Sequence, residues 1–70
     1  MANFKTVNKV VKAEFPTLDI EVVRCKDYVY FDGADGFDKI EAIYCHPVNT
    51  TTEDLIRFCI ENIKESLKEV

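Results

Sequence analysis

The chain has 70 residues, of which 47% are hydrophobic and 31% are charged, a size and composition typical of one small globular domain rather than a disordered segment. Its formal net charge of −4 argues against direct binding to nucleic acid and favours a basic partner. No apolar run approaches the roughly 20 residues that span a bilayer, and the N-terminus lacks a signal-peptide pattern, so we expect a cytoplasmic protein with no membrane partner.

The first predicted element is an amphipathic helix near the N-terminus. Phe4, Val7 and Val11 recur at helical spacing, and lysines occupy the opposite side. Pro16 disfavours a helical conformation at Phe15, so we expect the helix to end there.

Two antiparallel strands are predicted next. From Leu18 the hydrophobic period changes to two, and the segment from Tyr28 to Asp32 is rich in residues that favour strands. A two-residue turn at Lys26 and Asp27 would place two sets of side chains on opposite sides of the sheet. The core set is Ile20, Val22, Val29 and Phe31, and the outer set is Glu21, Val23, Cys25, Tyr28, Tyr30 and Asp32.

The acidic segment that follows, "DGADGFD", is predicted to be a turn rather than a calcium site. Its acids, Asp32, Asp35 and Asp38, stand at every third position, whereas calcium loops of the EF-hand type place acids at alternate positions. Gly33 and Gly36 suit positions of positive φ in a connection between strands.

Residues 39–45 are predicted to form a third strand, which Pro47 closes. With the phase we assign, Ile43 joins the outer face beside the two tyrosines. The letters "DKIEAI" are also compatible with a helical turn, and the sequence leaves that alternative open.

The last predicted element is a second amphipathic helix. Thr50 with Glu53, and Thr51 with Asp54, both match capping boxes. Phe58 lies about 160° from Ile56 on the helical wheel, which predicts an outward position. The predicted apolar stripe is Ile56, Ile60, Ile63, Leu67 and Val70, widened by Leu55 and Cys59.

These elements predict a single α+β domain over residues 1–70, in the order α-β-β-β-α, with a three-stranded antiparallel sheet packed against two helices. The order resembles that of the double-stranded-RNA-binding domain. That family has a lysine cluster at the start of its second helix, where this chain has Thr52, Glu53 and Asp54. We therefore expect no direct nucleic-acid partner.

No pattern in the chain indicates catalysis, a cofactor or a metal. Three cysteines at irregular spacing argue against a disulfide framework, and without a C-x-x-C pair a zinc site with His46 is not expected. Cys45 and His46 are neighbours on a predicted strand, so they point to opposite faces and cannot act together. The sequence predicts a protein that is not an enzyme, with no catalytic residues, no cofactor and no metal.

Exposed acids and aromatics are the candidate partner-binding residues. Asp19 and Glu21 would lie ~6.7 Å apart on a strand, and Glu61, Glu65 and Glu69 would repeat at each helical turn, so these rows could mimic phosphates against a basic groove. The alternative is that the acids only keep the protein soluble. Phe58 would act as an anchor within the acidic stripe; the alternatives are that it lies under a chain terminus or loop, or that it is a single exposed apolar residue. The full set is Phe58, Asp54, Glu61, Glu65, Asp19, Glu21, Tyr28, Tyr30, Asp32 and Asp35.

Two short strings within residues 4–33, "EFPTLDIEV" and "YVYFDG", carry a second resemblance. This part of the chain resembles small acidic accessory proteins of phages and plasmids, including anti-defence proteins of the anti-CRISPR type. The resemblance implies an inhibitor that occupies a basic, nucleic-acid-handling surface of a host protein. The alternative function is a small homodimerisation or protein-interaction module that uses the exposed sheet face.

Overall fold

The structure is a computed structural model and describes residues 2–68. Glu69 and Val70, which the sequence predicts to extend the acidic row and the apolar stripe of the second helix, lie outside the described residues. The elements in chain order are helix α1 (Phe4–Glu14), strand β1 (Glu21–Arg24), strand β2 (Val29–Asp32), a single turn of 3₁₀ helix (Pro47–Asn49) and helix α2 (Thr52–Lys68).

The predicted third strand is wrong. Within residues 2–68 the sheet has two strands, and from residues 39–45 only Ile43 pairs with it. The Val29 N–H donates to the Ile43 carbonyl at 2.9 Å, and the Ile43 N–H donates to the Val29 carbonyl at 2.8 Å. The described fold is therefore α-β-β-α, still of the α+β class.

Turn hydrogen bonds after β2 explain why the third strand does not form. The N–H groups of Gly36 and Phe37 both donate to the Gly33 carbonyl, and the Ile40 N–H donates to the Gly36 carbonyl. These local bonds coil the chain away from β2, so it returns to the strand edge only at Ile43. Pro47 then begins the 3₁₀ turn, so the contact with β2 is not extended.

The predicted turn in the acidic segment is confirmed, although the two glycines serve different purposes. Gly33 has a φ of +96°, the positive value that was expected. Gly36 does not have a positive φ; a Cβ at that position would collide with the carbonyl of Asp32. The absence of a side chain at Gly36 is what allows the turn to fold back tightly onto the end of β2.

The predicted hairpin register is confirmed. Glu21 lies opposite Asp32 and Val23 lies opposite Tyr30. The Cys25 N–H donates to the Tyr28 carbonyl at 3.0 Å, which leaves the two predicted residues as the turn. The predicted inner face is buried at Val22, Val29 and Phe31, and Ile20 is half-buried against the same core.

Helix α1 begins and ends, and helix α2 begins, close to where the sequence predicts. Asn3 caps α1, since its side-chain oxygen accepts hydrogen bonds from the N–H groups of Lys5 and Thr6, and the helix ends before Pro16. Thr51 caps α2, since its hydroxyl accepts the Asp54 N–H at 3.1 Å. The second of the two predicted capping boxes is therefore the one that supplies this bond.

The buried face of α2 is rotated from the predicted one. Its centre runs through Leu55, Cys59 and Ile63, each with 0% of its surface exposed. Leu55 and Cys59 were predicted only to widen the apolar stripe. Three residues predicted to form the stripe itself are half-buried: Ile56, Ile60 and Leu67. Phe58 precedes the central residue Cys59 by one step of about 100°, so it flanks the buried face instead of opposing it.

The core lies between the two helices and one side of the hairpin. Helix α1 packs against both β1 and α2. The Asn8 amide receives the Val22 N–H at 2.7 Å and donates to the Val22 carbonyl at 3.0 Å, which covers the outer edge of β1. The buried core residues are Ala2, Val7, Val11, Val22, Val29, Phe31, Ile40, Leu55, Cys59 and Ile63.

This packing leaves the other side of the hairpin open to solvent. Neither helix described here combines the length and apolar character needed to cross a membrane.

Candidate functional site

Four aromatic side chains form a line on the outer side of the hairpin, and we name them the aromatic row: Tyr44, Tyr28, Tyr30 and Phe37. Ring centroids lie 6.0 Å apart between Tyr44 and Tyr28, and 6.4 Å apart for both Tyr28–Tyr30 and Tyr30–Phe37. The two ends are the most exposed, with 84% of Tyr44 and 67% of Phe37 accessible. Rings at this spacing contact one another and still present surface to a partner.

Two structural features assemble the aromatic row. Tyr28 and Tyr30 point outward because side chains alternate along a strand and their neighbours Val29 and Phe31 face the core. Tyr44 is placed by the single bridge at Ile43, and Phe37 by the turn after β2.

The sequence predicted Tyr28 and Tyr30 for this surface but missed Phe37 and Tyr44. The expectation that Ile43 joins the outer face is wrong, since Ile43 packs against the core. Phe37 lies in a turn, where no period indicates which way a side chain points. The signal that could have identified both residues is the presence of a large aromatic in a segment otherwise rich in polar residues.

Tyr28 is the member of the row with an altered acidity. The neighbouring Cys25 side chain is the main cause of a raised pKa of the Tyr28 hydroxyl, and desolvation, Tyr30 and Tyr44 add to the effect. A tyrosine is neutral at physiological pH even without such a shift, so Tyr28 presents a hydroxyl and an apolar face rather than a charge.

Asp19 and Asp35, both predicted as partner-binding residues, also hold two loops together through hydrogen bonds. The Asp19 N–H donates to the Asp35 carboxylate at 2.8 Å, and the Asp35 N–H donates to the Asp19 carbonyl at 3.0 Å. The Asp19 carboxylate in turn accepts the Ala34 N–H at 3.0 Å. Both side chains are thus occupied within the chain.

The acidity of Asp35 reflects this role. The hydrogen bond from the Asp19 backbone and the one from Lys39, whose ammonium lies 3.2 Å away, lower the pKa of Asp35 below its ordinary value of 3.8. Asp35 therefore remains ionised where an isolated aspartate would begin to take up a proton.

Glu21 and Asp32 remain available for a partner. They lie opposite each other at the open end of the hairpin, and both are exposed. Like charges directly opposite in an antiparallel pair destabilise a sheet, so this pair costs stability unless a cation from elsewhere approaches it.

The outer flank of α2 brings three of the predicted partner-binding residues together. Phe58, Glu61 and Glu65 line a shallow groove of about 450 Å³ with Ile43 and Asn62. The ring of Phe58 is 37% exposed, so most of it is covered.

Arg57 reduces the availability of this second surface. Its guanidinium lies 5.4 Å from the centre of the Phe58 ring, and it pairs with the Asp54 carboxylate at 3.2 Å. The predicted anchor and one of its predicted acids therefore already have a cationic neighbour in the chain itself, which leaves the aromatic row as the more open of the two surfaces.

The three cysteines are free thiols; Cys59 is buried, and Cys25 and Cys45 are half-buried. Burial, with a smaller contribution from Cys45, raises the pKa of the Cys59 thiol to about 12. The ring of His46 lies 3.5 Å from the Asp27 carboxylate, and both side chains are exposed. No cluster of three or more potential metal ligands occurs within residues 2–68.

Comparison with protein-family models, with curated proteins and with solved structures finds no match to this chain. The function must therefore be inferred from the surfaces of the molecule itself.

Proposed function

We propose that the chain is a non-enzymatic binding protein that docks on a basic surface of another protein through the aromatic row. The observation that carries this proposal is the row itself, whose two ends, Tyr44 and Phe37, are 84% and 67% exposed. Contiguous exposed aromatic surface on a small protein usually marks an interaction site, and tyrosines are frequent among the residues that dominate binding energy.

The charges beside the row favour a basic partner. Residues 28–42 carry four carboxylates and one lysine, a net charge of −3, and that lysine, Lys39, is held by Asp35 at 3.2 Å. The remaining carboxylates, Asp32, Asp38 and Glu41, are exposed. Such a field steers a positively charged surface toward the row and repels nucleic acid.

A protein that handles nucleic acid offers the kind of basic surface that this arrangement fits. Occupying that surface would exclude the nucleic acid, which is the inhibitor function implied by the resemblance to accessory proteins of phages and plasmids. The groove at Phe58, Glu61 and Glu65 is a second surface of similar chemistry, because it also combines an aromatic side chain with carboxylates.

A capture experiment tests the proposal. The immobilised chain would be compared with a double variant, Phe37→Ser with Tyr44→Ser, in a bacterial lysate at low and high salt. We expect one or more basic proteins to be retained by the unaltered chain, released by salt and lost with the double variant.

Val48→Ser supplies the control, since Val48 is 51% exposed and lies outside the aromatic row. Its capture should equal that of the unaltered chain. If all three proteins retain the same set of partners, or none, the aromatic row is not the binding surface and the proposal is wrong.

A further inference from the structure

A pocket of about 380 Å³ opens beside the aromatic row, at the place where the predicted third strand is interrupted. Two of the residues that line it, Phe31 and Ile40, are only 1% and 5% exposed. Its full lining is Tyr28, Tyr30, Phe31, Phe37, Ile40 and Ala42.

Three rings of the aromatic row, those of Tyr28, Tyr30 and Phe37, are among the pocket-lining residues. The planes of Tyr30 and Phe37 are inclined by 86°, and those of Tyr28 and Tyr30 by 40°, so these rings do not stack flat on one another. The face of an aromatic ring carries partial negative charge and attracts ammonium and guanidinium groups.

Carboxylates stand next to the pocket-lining residues along the chain. Each of three exposed acids is a chain neighbour of a residue that lines the pocket, and none of the three forms an ion pair with another described residue. These acids are Asp32, Asp38 and Glu41. An anionic ligand is therefore disfavoured, and a purely apolar one would leave the carboxylates without a counter-charge.

We propose that this pocket receives the guanidinium group of an arginine side chain from the protein partner. This inference rests on the proposed function and names the group that the partner inserts. Arginine fits better than lysine because its planar guanidinium is weakly hydrated, stacks on ring faces and can donate to carboxylates at the same time. The chain makes one such contact internally, where Arg57 lies 5.4 Å from the centre of the Phe58 ring.

The backbone holds the pocket open before a ligand arrives. Gly36 lies so close to the end of β2 that a Cβ there would collide with the Asp32 carbonyl. The Phe37 N–H donates to the Gly33 carbonyl at 3.2 Å, which fixes the residue next to the glycine. Phe37 is thus placed against Tyr30 by the turn and not by the partner, so little ordering is required on binding.

A titration with short peptides tests the inference. The probe is an acetylated and amidated Gly-Arg-Gly peptide, followed by the amide signals of the protein in heteronuclear NMR spectra. The comparison peptide replaces arginine with citrulline, which has nearly the same shape but no charge. We expect saturable shifts at Phe31, Phe37 and Ala42 with the arginine peptide, and binding at least about tenfold weaker with citrulline.

Two substitutions connect the shifts to the pocket walls. Tyr30→Leu and Phe37→Leu should each abolish the preference for arginine over citrulline while the spectrum remains that of a folded protein, and Val48→Ser should leave the preference intact. Equal binding of the two peptides, shifts centred on Phe58, or no saturable shift with either peptide would each overturn the inference.

The outcomes also separate this inference from the proposed function. Row-dependent capture of a basic protein without any preference for arginine would remove the pocket inference and leave the docking proposal intact. A preference for arginine without row-dependent capture would contradict the docking proposal instead.

Discussion

Asp35 illustrates how a single acidic side chain can serve the fold. Its carboxylate accepts from the Asp19 backbone and from Lys39, and these bonds lower its pKa. A carboxyl group with a lowered pKa in the folded state stabilises the fold above its unfolded pKa, and this stabilisation is lost as the pH falls through the folded value.

We therefore expect Asp35→Asn to be less stable than the unaltered chain at neutral pH and to lose less stability on acidification through pH ~4 and below. Thermal unfolding measured at a series of pH values would show the two curves converging at low pH. Asp38→Asn is the control, since Asp38 makes no hydrogen bond or ion pair with another described residue. Curves for Asp35→Asn and the unaltered chain that stay parallel down to low pH would contradict the structural role of Asp35.

Phe58 is exposed, as the helical wheel predicts, although it lies nearer to the buried face than expected. It flanks the buried face of α2 and remains 37% exposed, while Leu55, one turn earlier, is fully buried. We expect Phe58→Ala to lower the free energy of unfolding by about 1–2 kcal/mol and Leu55→Ala by about 2–5 kcal/mol, because only the second leaves a closed cavity. Urea unfolding of the two variants measures the difference, and equal losses would place Phe58 in the core.

At the scale of elements, Asn8 joins α1 to the hairpin. Its side-chain amide accepts a hydrogen bond from the Val22 N–H and donates one to the Val22 carbonyl, as the backbone of a neighbouring strand would. The same amide also donates to the Phe4 carbonyl at 3.0 Å. This arrangement protects the outer edge of β1, which would otherwise be open to pairing with another chain.

Replacing Asn8 with alanine should therefore destabilise the protein by about 1–3 kcal/mol, because two partly buried backbone groups lose their partner. Hydrogen exchange at the Val22 amide should accelerate more than exchange in α2. Lys9→Ala, a change at the exposed neighbour, should cost less than about 0.5 kcal/mol. An Asn8→Ala variant as stable as Lys9→Ala would show that the amide does not hold the edge.

The elements that the sequence predicts correctly are those whose signals are local. Val7 and Val11 recur at helical spacing, and Ile20, Val22, Val29 and Phe31 stand at every second position of their predicted strands, so local periodicity together with caps and Pro16 places both helices and the hairpin. The third strand failed because strand pairing at residues 39–45 depends on a distant partner, whereas turn hydrogen bonds from Gly33 onward form within the segment itself.

The same distinction applies to the candidate site. Tyr28 and Tyr30 could be assigned to the outer face because they lie on a regular strand, and their register is confirmed. Phe37 and Tyr44 lie outside regular elements, so their directions depend on the turn at Gly36 and on the bridge at Ile43. Asp19 and Asp35 resembled free surface charges because their hydrogen bonds join segments that are distant in sequence.

At the scale of the whole molecule, the two helices and the aromatic row occupy opposite sides of a sheet with only two described strands. A second copy of the chain could in principle cover the row, which is the homodimer alternative. The carboxylates beside the row disfavour it, since two such surfaces would bring like charges together.

Sedimentation measurements separate these alternatives. We expect a single species near the monomer mass of 8.1 kDa over a wide range of concentrations at low salt, with no change in the Phe37→Ser and Tyr44→Ser double variant. A dimer that forms in the unaltered chain and disappears in the double variant would assign the row to self-association.

The bond between the starts of the two helices also has a consequence for how the protein is made. The Asn3 N–H donates to the Thr52 hydroxyl at 2.9 Å, and α1 packs against a helix that contributes Leu55, Cys59 and Ile63 to the core. During synthesis α1 leaves the ribosome early, but the apolar face it needs is supplied only after α2 has been translated. Until then, Val7 and Val11 are exposed on the nascent chain, so ribosome-associated chaperones should bind α1 during that interval and release it once α2 emerges.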